Sequence, residues 1–291
     1  MIRKPVVAGQ FYSASSNPLK TEIEECFLDA RGPGKLPEIR KKEGSLKGVV
    51  VPHAGYMYSG AIAAHSYLAV AENGFADTFV LIGPNHTGMG SGVSLFPNGE
   101  WETPFGKLPV EEAIVDLLAG GIIDLDENAH RYEHSIEVQL PFLQYIANKK
   151  TFSIVPICMA MQDYETSLDV GKALAEAIKQ YKKRTVIIAS SDFSHVGFNY
   201  HQTPPTSKRV DEYAKEQDTL AIKEILRLNP KGLIEKVYNN NISMCGYGCV
   251  AAMLVAAKEL GADKAQLIKY GTSYEVMPSS SCVGYGALTV H

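Results

Sequence analysis

Three stretches of the chain place histidines where they could hold a metal ion or move a proton. His53 stands in VVVPHAGYMYSG, His86 in FVLIGPNHTGMGSG, and Asp192 with His195 in VIIASSDFSHVG. Each follows a run of apolar, largely β-branched residues and is flanked by Gly, Pro, Ser or Asn. Neutral imidazole is the commonest protein ligand for Zn, Fe and Cu, so His53 and His86 are candidate metal ligands. They are too far apart in sequence for a local zinc motif, so they can meet only through the fold. In the Asp192-x-x-His195 pair the carboxylate could orient the imidazole and raise its basicity, and Asp192 or Ser194 could equally cap a helix.

Two further clusters carry reactive side chains. HRYEHSIEVQLPFL holds Glu133 and His134 ahead of a helical pattern, with Glu137 and Gln139 either reaching a pocket or solvated. In NNNISMCGYGCVAAML, Cys245 precedes an apolar helix at whose N-terminus the dipole favours thiolate. From the residues alone Cys245 is open to four readings: core thiol, half of a disulfide with Cys249, nucleophile, or metal ligand. The disulfide is the weakest, since the two lie one helical turn apart, and Cys249 begins an apolar run that reads as core. There is no G-x-S-x-G elbow, no P-loop, no G-x-G-x-x-G before a helix and no H-E-x-x-H.

The elements that must position these residues alternate along the chain. Residues 48–52, 78–84, 152–158 and 185–190 read as buried strands, and 60–72, 110–120, 164–181 and 207–228 as helices. Residues 134–147 read as a helix kinked or interrupted at Pro141. GVSLFP and GEWETPFGKLPV read as a hairpin turning at Pro97-Asn98-Gly99, residues 29–48 as a polar Gly/Pro-rich connection, and the last two apolar runs as terminal strands. This alternation predicts one three-layer α/β/α domain over residues 1–291, with a largely parallel or mixed central sheet. In such sheets ligands bind beyond the carboxyl ends of the strands, which is where His53, His86, Ser190, Ser191, Asp192 and His195 fall.

The 291 residues carry a net charge of −4, with 45% hydrophobic and 21% charged residues. No basic footprint argues for nucleic acid or a membrane surface. Five cysteines without framework spacing point to a reduced, cytoplasmic setting. The opening MIRKPVVAGQFYSASS lacks the apolar core of a signal peptide, and no run approaches a membrane span.

Six motifs in order, RKPVVAGQFY, VVPHAGYMYSG, LIGPNHTG, YEHSIEVQLPFL, SSDFSHVG and MCGYGCVAAML, resemble the Memo family, named for a mediator of receptor-tyrosine-kinase-driven cell motility and widespread in prokaryotes. The resemblance spans nearly the whole chain. It implies a fold similar to the class III extradiol dioxygenases, the LigB-like non-haem iron enzymes, in which two histidines and a carboxylate hold Fe(II). Carried over by motif, it implies His53, His86 and Cys245 as metal ligands, with Asp192, His195 and His134 lining the same pocket. A cysteine in place of the carboxylate softens the ligand set, so ring cleavage does not carry over; Fe(II) or copper is expected, with zinc admissible.

The expectation is therefore a metal-dependent redox enzyme acting on a small molecule. His195 oriented by Asp192 serves as general base, with His134 as a further catalytic or substrate-binding residue and Tyr56, Asn85 and Ser191 on the substrate side. Two alternatives stay open: a non-catalytic module binding a peptide or small ligand in the same pocket, and a metal-free hydrolase or transferase using Cys245 and His195. Redox activity and phosphotyrosine-peptide binding have both been proposed for animal members, and prokaryotic members are associated with a radical-SAM protein and an AMMECR-type domain as partners.

Overall fold

The computed structural model describes residues 1–40 and 44–291; residues 41–43 of the expected Gly/Pro-rich connection lie outside the described residues. The strands are β1 (Ile2–Arg3), β2 (Gly48–Val51), β3 (Thr78–Pro84), β4 (Val93–Leu95), β5 (Glu100–Thr103), β6 (Gly106–Pro109), β7 (Asp124–Leu125), β8 (Ser153–Met159), β9 (Thr185–Ser190), β10 (His195–Val196), β11 (Ala265–Thr272) and β12 (Cys282–Val290). The helices are α1 (Ser16–Leu28), α2 (Tyr56–Glu72), α3 (Glu112–Leu118), α4 (Leu140–Ala147), α5 (Tyr164–Tyr181), α6 (Val210–Leu226), α7 (Pro230–Asn239), α8 (Tyr247–Glu259) and α9 (Ser273–Val276).

A nine-stranded mixed sheet runs in the order β10-β12-β2-β9-β3-β8-β4-β7, with β11 paired to β12. Its centre, β2-β9-β3-β8, is parallel. These strands are buried on both faces, which is why they read as continuous apolar runs instead of alternating ones. Helices α1, α2 and α4 cover one face; α5 and α8 pack together on the other, joined by α3 and α7. This is the expected three-layer α/β architecture. Among the described residues no helix is long and apolar enough to cross a membrane.

Two local expectations change. The hairpin turning at 97–99 does not form: β4 joins the main sheet beside β8, while β5 pairs with β6 and β1 in a separate three-stranded sheet. Gly99, at φ +98°, lets the chain pass from one sheet to the other, and its close approach to the backbone of Met1 leaves no room for a side chain. Pro141 neither kinks nor breaks a helix. A 3₁₀ turn over Glu137–Gln139 leads into α4, and Pro141 sits in its first turn, where no intrahelical N–H is needed.

Candidate metal centre

Val51 of β2 pairs with Ser190 of β9, and Ala189 of β9 with Ile82 of β3. Three adjacent parallel strands therefore end at one edge, and the chain leaving them supplies His53, His86 and the 190–195 segment. Pro52 follows the end of β2 and Pro84 closes β3, so each histidine comes within two residues of a strand end. The 134–136 segment reaches the same edge because residue 83 is glycine: a Cβ there would lie 2.5 Å from Ser135 Oγ and 2.9 Å from Ile136 Cγ1. Ser135 Oγ donates to Pro84 O at 2.8 Å and fixes the approach.

His53, His86 and His134 meet there, each with a ring nitrogen within 4.8 Å of the others'. The His86 and His134 rings stack at 4.8 Å, and His53 stands edge-on to both at 5.3 and 5.6 Å. His53 is 2% exposed. Its Nδ1 lies 2.8 Å from Ser190 Oγ. That hydroxyl donates its proton to Ser135 O at 2.6 Å and accepts from Gln139 Nε2 at 2.8 Å. Only an acceptor position is left for His53, so Nδ1 carries the proton and Nε2 offers its lone pair, the tautomer a metal requires. Burial, with the nearby His86, His134 and His195, pushes the His53 imidazolium well below the usual histidine range, so the ring is neutral at pH 7.

Glu133 organises the other two imidazoles. Its buried carboxylate accepts from His86 N at 2.5 Å, His86 Nδ1 at 2.9 Å, His134 N at 2.8 Å and Ser135 N at 2.9 Å, and lies 3.3 Å from His134 Nδ1. Burial alone would raise the Glu133 carboxyl; the hydrogen bond and charge of His86 and the backbone donors outweigh it and hold it at about 2. For His86 the balance runs the other way: burial works against the cation, but Glu133 raises it above the ordinary value. His134 is lowered by burial, partly countered by Glu133. A carboxylate on Nδ1 with Nε2 directed outward is the usual support of a metal-binding histidine. Glu133 stood in the sequence as a neighbour of His134, but nothing in the spacing linked it to His86.

Cys245 lies behind His53, with Sγ 3.3 Å from His53 Nε2 and accepting from Asp192 N at 3.3 Å. A Cβ on Gly246 would collide with Ser190 O and Ser191, so glycine admits this approach too. The thiolate expected at the start of α8 is disfavoured: burial and then the charge of Asp192 push the thiol up, so Cys245 carries its proton when no ion replaces it. All five cysteines are free, and Cys249 is fully buried.

The remaining expected site residues divide into those facing the cavity and those behind it. Asp192 and His195 line a cavity of about 540 Å³ with the three histidines. The expected Asp192–His195 orientation takes a different form. Asp192 Oδ1 accepts from His53 N at 2.8 Å, while His195 Nδ1 donates to Ser243 O at 3.0 Å. Tyr56 is turned into the core, where it is 3% exposed and its hydroxyl donates to Val138 O at 2.7 Å; Tyr58 lines the cavity instead. Asn85 Oδ1 accepts from Thr87 N and Gly88 N, shaping the loop that carries His86. Ser191 Oγ accepts from Gly246 N and donates to Asp192 O, tying the Cys245 loop to the end of β9. Trp101 is core. Glu137 and Gln139 are buried: Gln139 backs Ser190, and Glu137 is ion-paired to Arg3.

An α/β/α fold in which two parallel strand ends and the 134–136 segment bring three histidines to one edge of the sheet defines the molecule as a candidate metal-binding protein. The comparisons give it a family. Residues 3–289 match the Memo-like protein family. A MEMO1 family protein of Methanococcus maripaludis is 46% identical over the full length of both chains, and one of Methanocaldococcus jannaschii is 46% identical over 99% of each. The chain belongs to the Memo family. An uncharacterized protein of Escherichia coli K12 has a similar fold, with a TM-score of 0.55 at 12% identity over 84% of this chain and 99% of that one.

Proposed function

We propose that this chain binds one transition-metal ion through His53, His86 and His134, with Cys245 as a further donor beside His53, and uses it in redox chemistry on a small molecule in the adjoining cavity. The observation that carries this reading is the convergence of three imidazoles, of which His53 is fixed as a ligand-ready tautomer and His86 is backed by a carboxylate. The donor set fits such an ion. Imidazole and thiolate suit Fe(II), copper and zinc and not Mg²⁺ or Ca²⁺. Cys245 Sγ lies 3.3 Å from His53 Nε2 but outside the group formed by the three imidazoles, so it would join an ion only from the His53 side, giving up its proton.

Iron or copper held there would supply electron transfer and oxygen chemistry. The chain's own groups do the rest. His195, with Nδ1–H committed to Ser243 O, has Nε2 free to accept a proton from a substrate hydroxyl. Asp192 holds the backbone that carries His53. The partner of the cavity is a small molecule; a radical-SAM protein and an AMMECR-type domain are proposed pathway partners on the resemblance alone.

The test is anaerobic metal analysis of purified protein, followed by titration of His53→Ala, His134→Ala and Cys245→Ser with Fe(II), Cu(I) and Zn(II). About one ion per chain is expected. Loss of binding is expected for His53→Ala, and at least about tenfold weakening for the other two. Wild-type affinity in His53→Ala refutes the site.

A further inference from the structure

The opening motif RKPVVAGQFY supplies no ligand to the proposed centre, yet its contacts end on the segment that carries one. His134 lies in residues 131–136, between two 3₁₀ turns and in neither helix nor strand, so tertiary contacts must hold it. A metal ion freezes every imidazole it takes, and immobilising one free side chain weakens binding about fivefold. His53 Nδ1 is already held at 2.8 Å by Ser190, and His86 Nδ1 at 2.9 Å by Glu133. His134 Nδ1 stands 3.3 Å from the same carboxylate. Of the three imidazoles it has the weakest polar support.

Packing takes over at His134. Its ring stacks on His86 at 4.8 Å, and the ring of Phe11 meets it at 4.9 Å and 62°. Phe11 is built into a closed loop. Gly9 N donates to Tyr12 O at 2.7 Å, and Gln10 N and Phe11 N donate to Val7 O at 3.0 and 2.9 Å. Phe11 O accepts from Tyr56 N at 2.7 Å. The buried Glu137 carboxylate ties both ends of the loop, accepting from Val6 N, Val7 N and the Tyr12 hydroxyl. Arg3 neutralises that carboxylate. Its planar guanidinium lies 4.5 Å from the centre of the Trp101 ring and also donates to His130 O and Glu133 O. One ion pair therefore fixes the loop that carries Phe11 and the segment that carries His134.

We infer that Phe11 is a positioning residue for His134: its ring holds the imidazole facing His53 and His86 before any ion binds. This rests on the reading of His134 as a metal ligand. It goes beyond that reading in assigning the preorganisation of the ligand to a residue that offers no donor atom.

The test is a double-mutant cycle in Zn(II) affinity between Phe11→Ala and His134→Ala, measured by competition with a chromophoric chelator. Phe11→Ala is expected to weaken binding about fivefold when His134 is present, and by less than about twofold once it is gone. A purely structural loss would be equal in both backgrounds. Phe11→Leu keeps the apolar bulk and is expected to follow the same pattern, so misfolding of the alanine variant leaves the cycle intact. In metal-free protein, ¹³C relaxation should show a more mobile His134 ring in the variants, with the His53 ring unchanged. Wild-type affinity in the folded variants, or equal losses in both backgrounds, overturns the inference. If the wild type takes up no Zn(II), the metal centre fails and relaxation alone decides: an unaltered His134 ring overturns the positioning role, and a loosened one sustains it.

Discussion

Replacing Glu133 by glutamine tests the site at the residue on which two of its imidazoles depend. The carboxylate accepts four hydrogen bonds within 2.9 Å, from His86 N, His86 Nδ1, His134 N and Ser135 N. An amide keeps one oxygen and must turn its NH₂ toward one of these donors. It also loses the charge that raises His86 and steadies its Nδ1–H. Loss of such an outer partner typically weakens metal binding about 10- to 100-fold, and that is the expected effect at pH 7 in competition titrations of Zn(II) or Co(II) against a chromophoric chelator.

Stability should fall as well. A carboxyl held at about 2, against an ordinary 4.5, contributes on the order of 3 kcal/mol. Because its folded value is depressed, this contribution is complete above pH 4.5 and disappears as the pH falls toward 2. In urea melts the wild type should lose it across that interval, whereas Glu133→Gln should lack it throughout. Unchanged metal affinity in a folded variant, or parallel stability curves from pH 6 to pH 2.5, would refute the reasoning.

Three other perturbations follow from the same geometry. Arg3→Met strands the buried Glu137 and removes bonds to His130 O and Glu133 O; a loss of about 3 kcal/mol, read by calorimetry as a fall of about 6 °C in Tm, is expected. Ser190→Ala leaves His53 Nδ1–H without its acceptor; ¹⁵N NMR should show mixed tautomers, with metal affinity down about tenfold. Tyr56→Phe should cost about 1 kcal/mol in urea denaturation and leave metal and ligand binding unchanged, because its hydroxyl donates to Val138 O in the core, away from the cavity.

The burial of the central strands and the polar residues at their ends are local properties of the chain. GVVV, TFVLIGP and TVIIAS are apolar on both faces, so they could lie only inside a sheet covered by helices. This made the three-layer fold legible, together with the placement of His53, His86, Asp192 and His195 at strand ends. The motif order that marks the Memo family was legible in the same way. Register and approach distance were not legible, because they depend on partners far away in sequence. Tyr56 and Tyr58 are two residues apart, and only the phase of α2 turns one into the core and the other to the cavity. Glu133 joins His86 only because Gly83 lets the 134–136 segment close on β3. Asp192 takes the N–H of His53, and Ser243 takes His195, through loops that meet only after the sheet has formed. Cys245 owes its raised thiol to burial beside Asp192, a desolvation that helix position could not foretell.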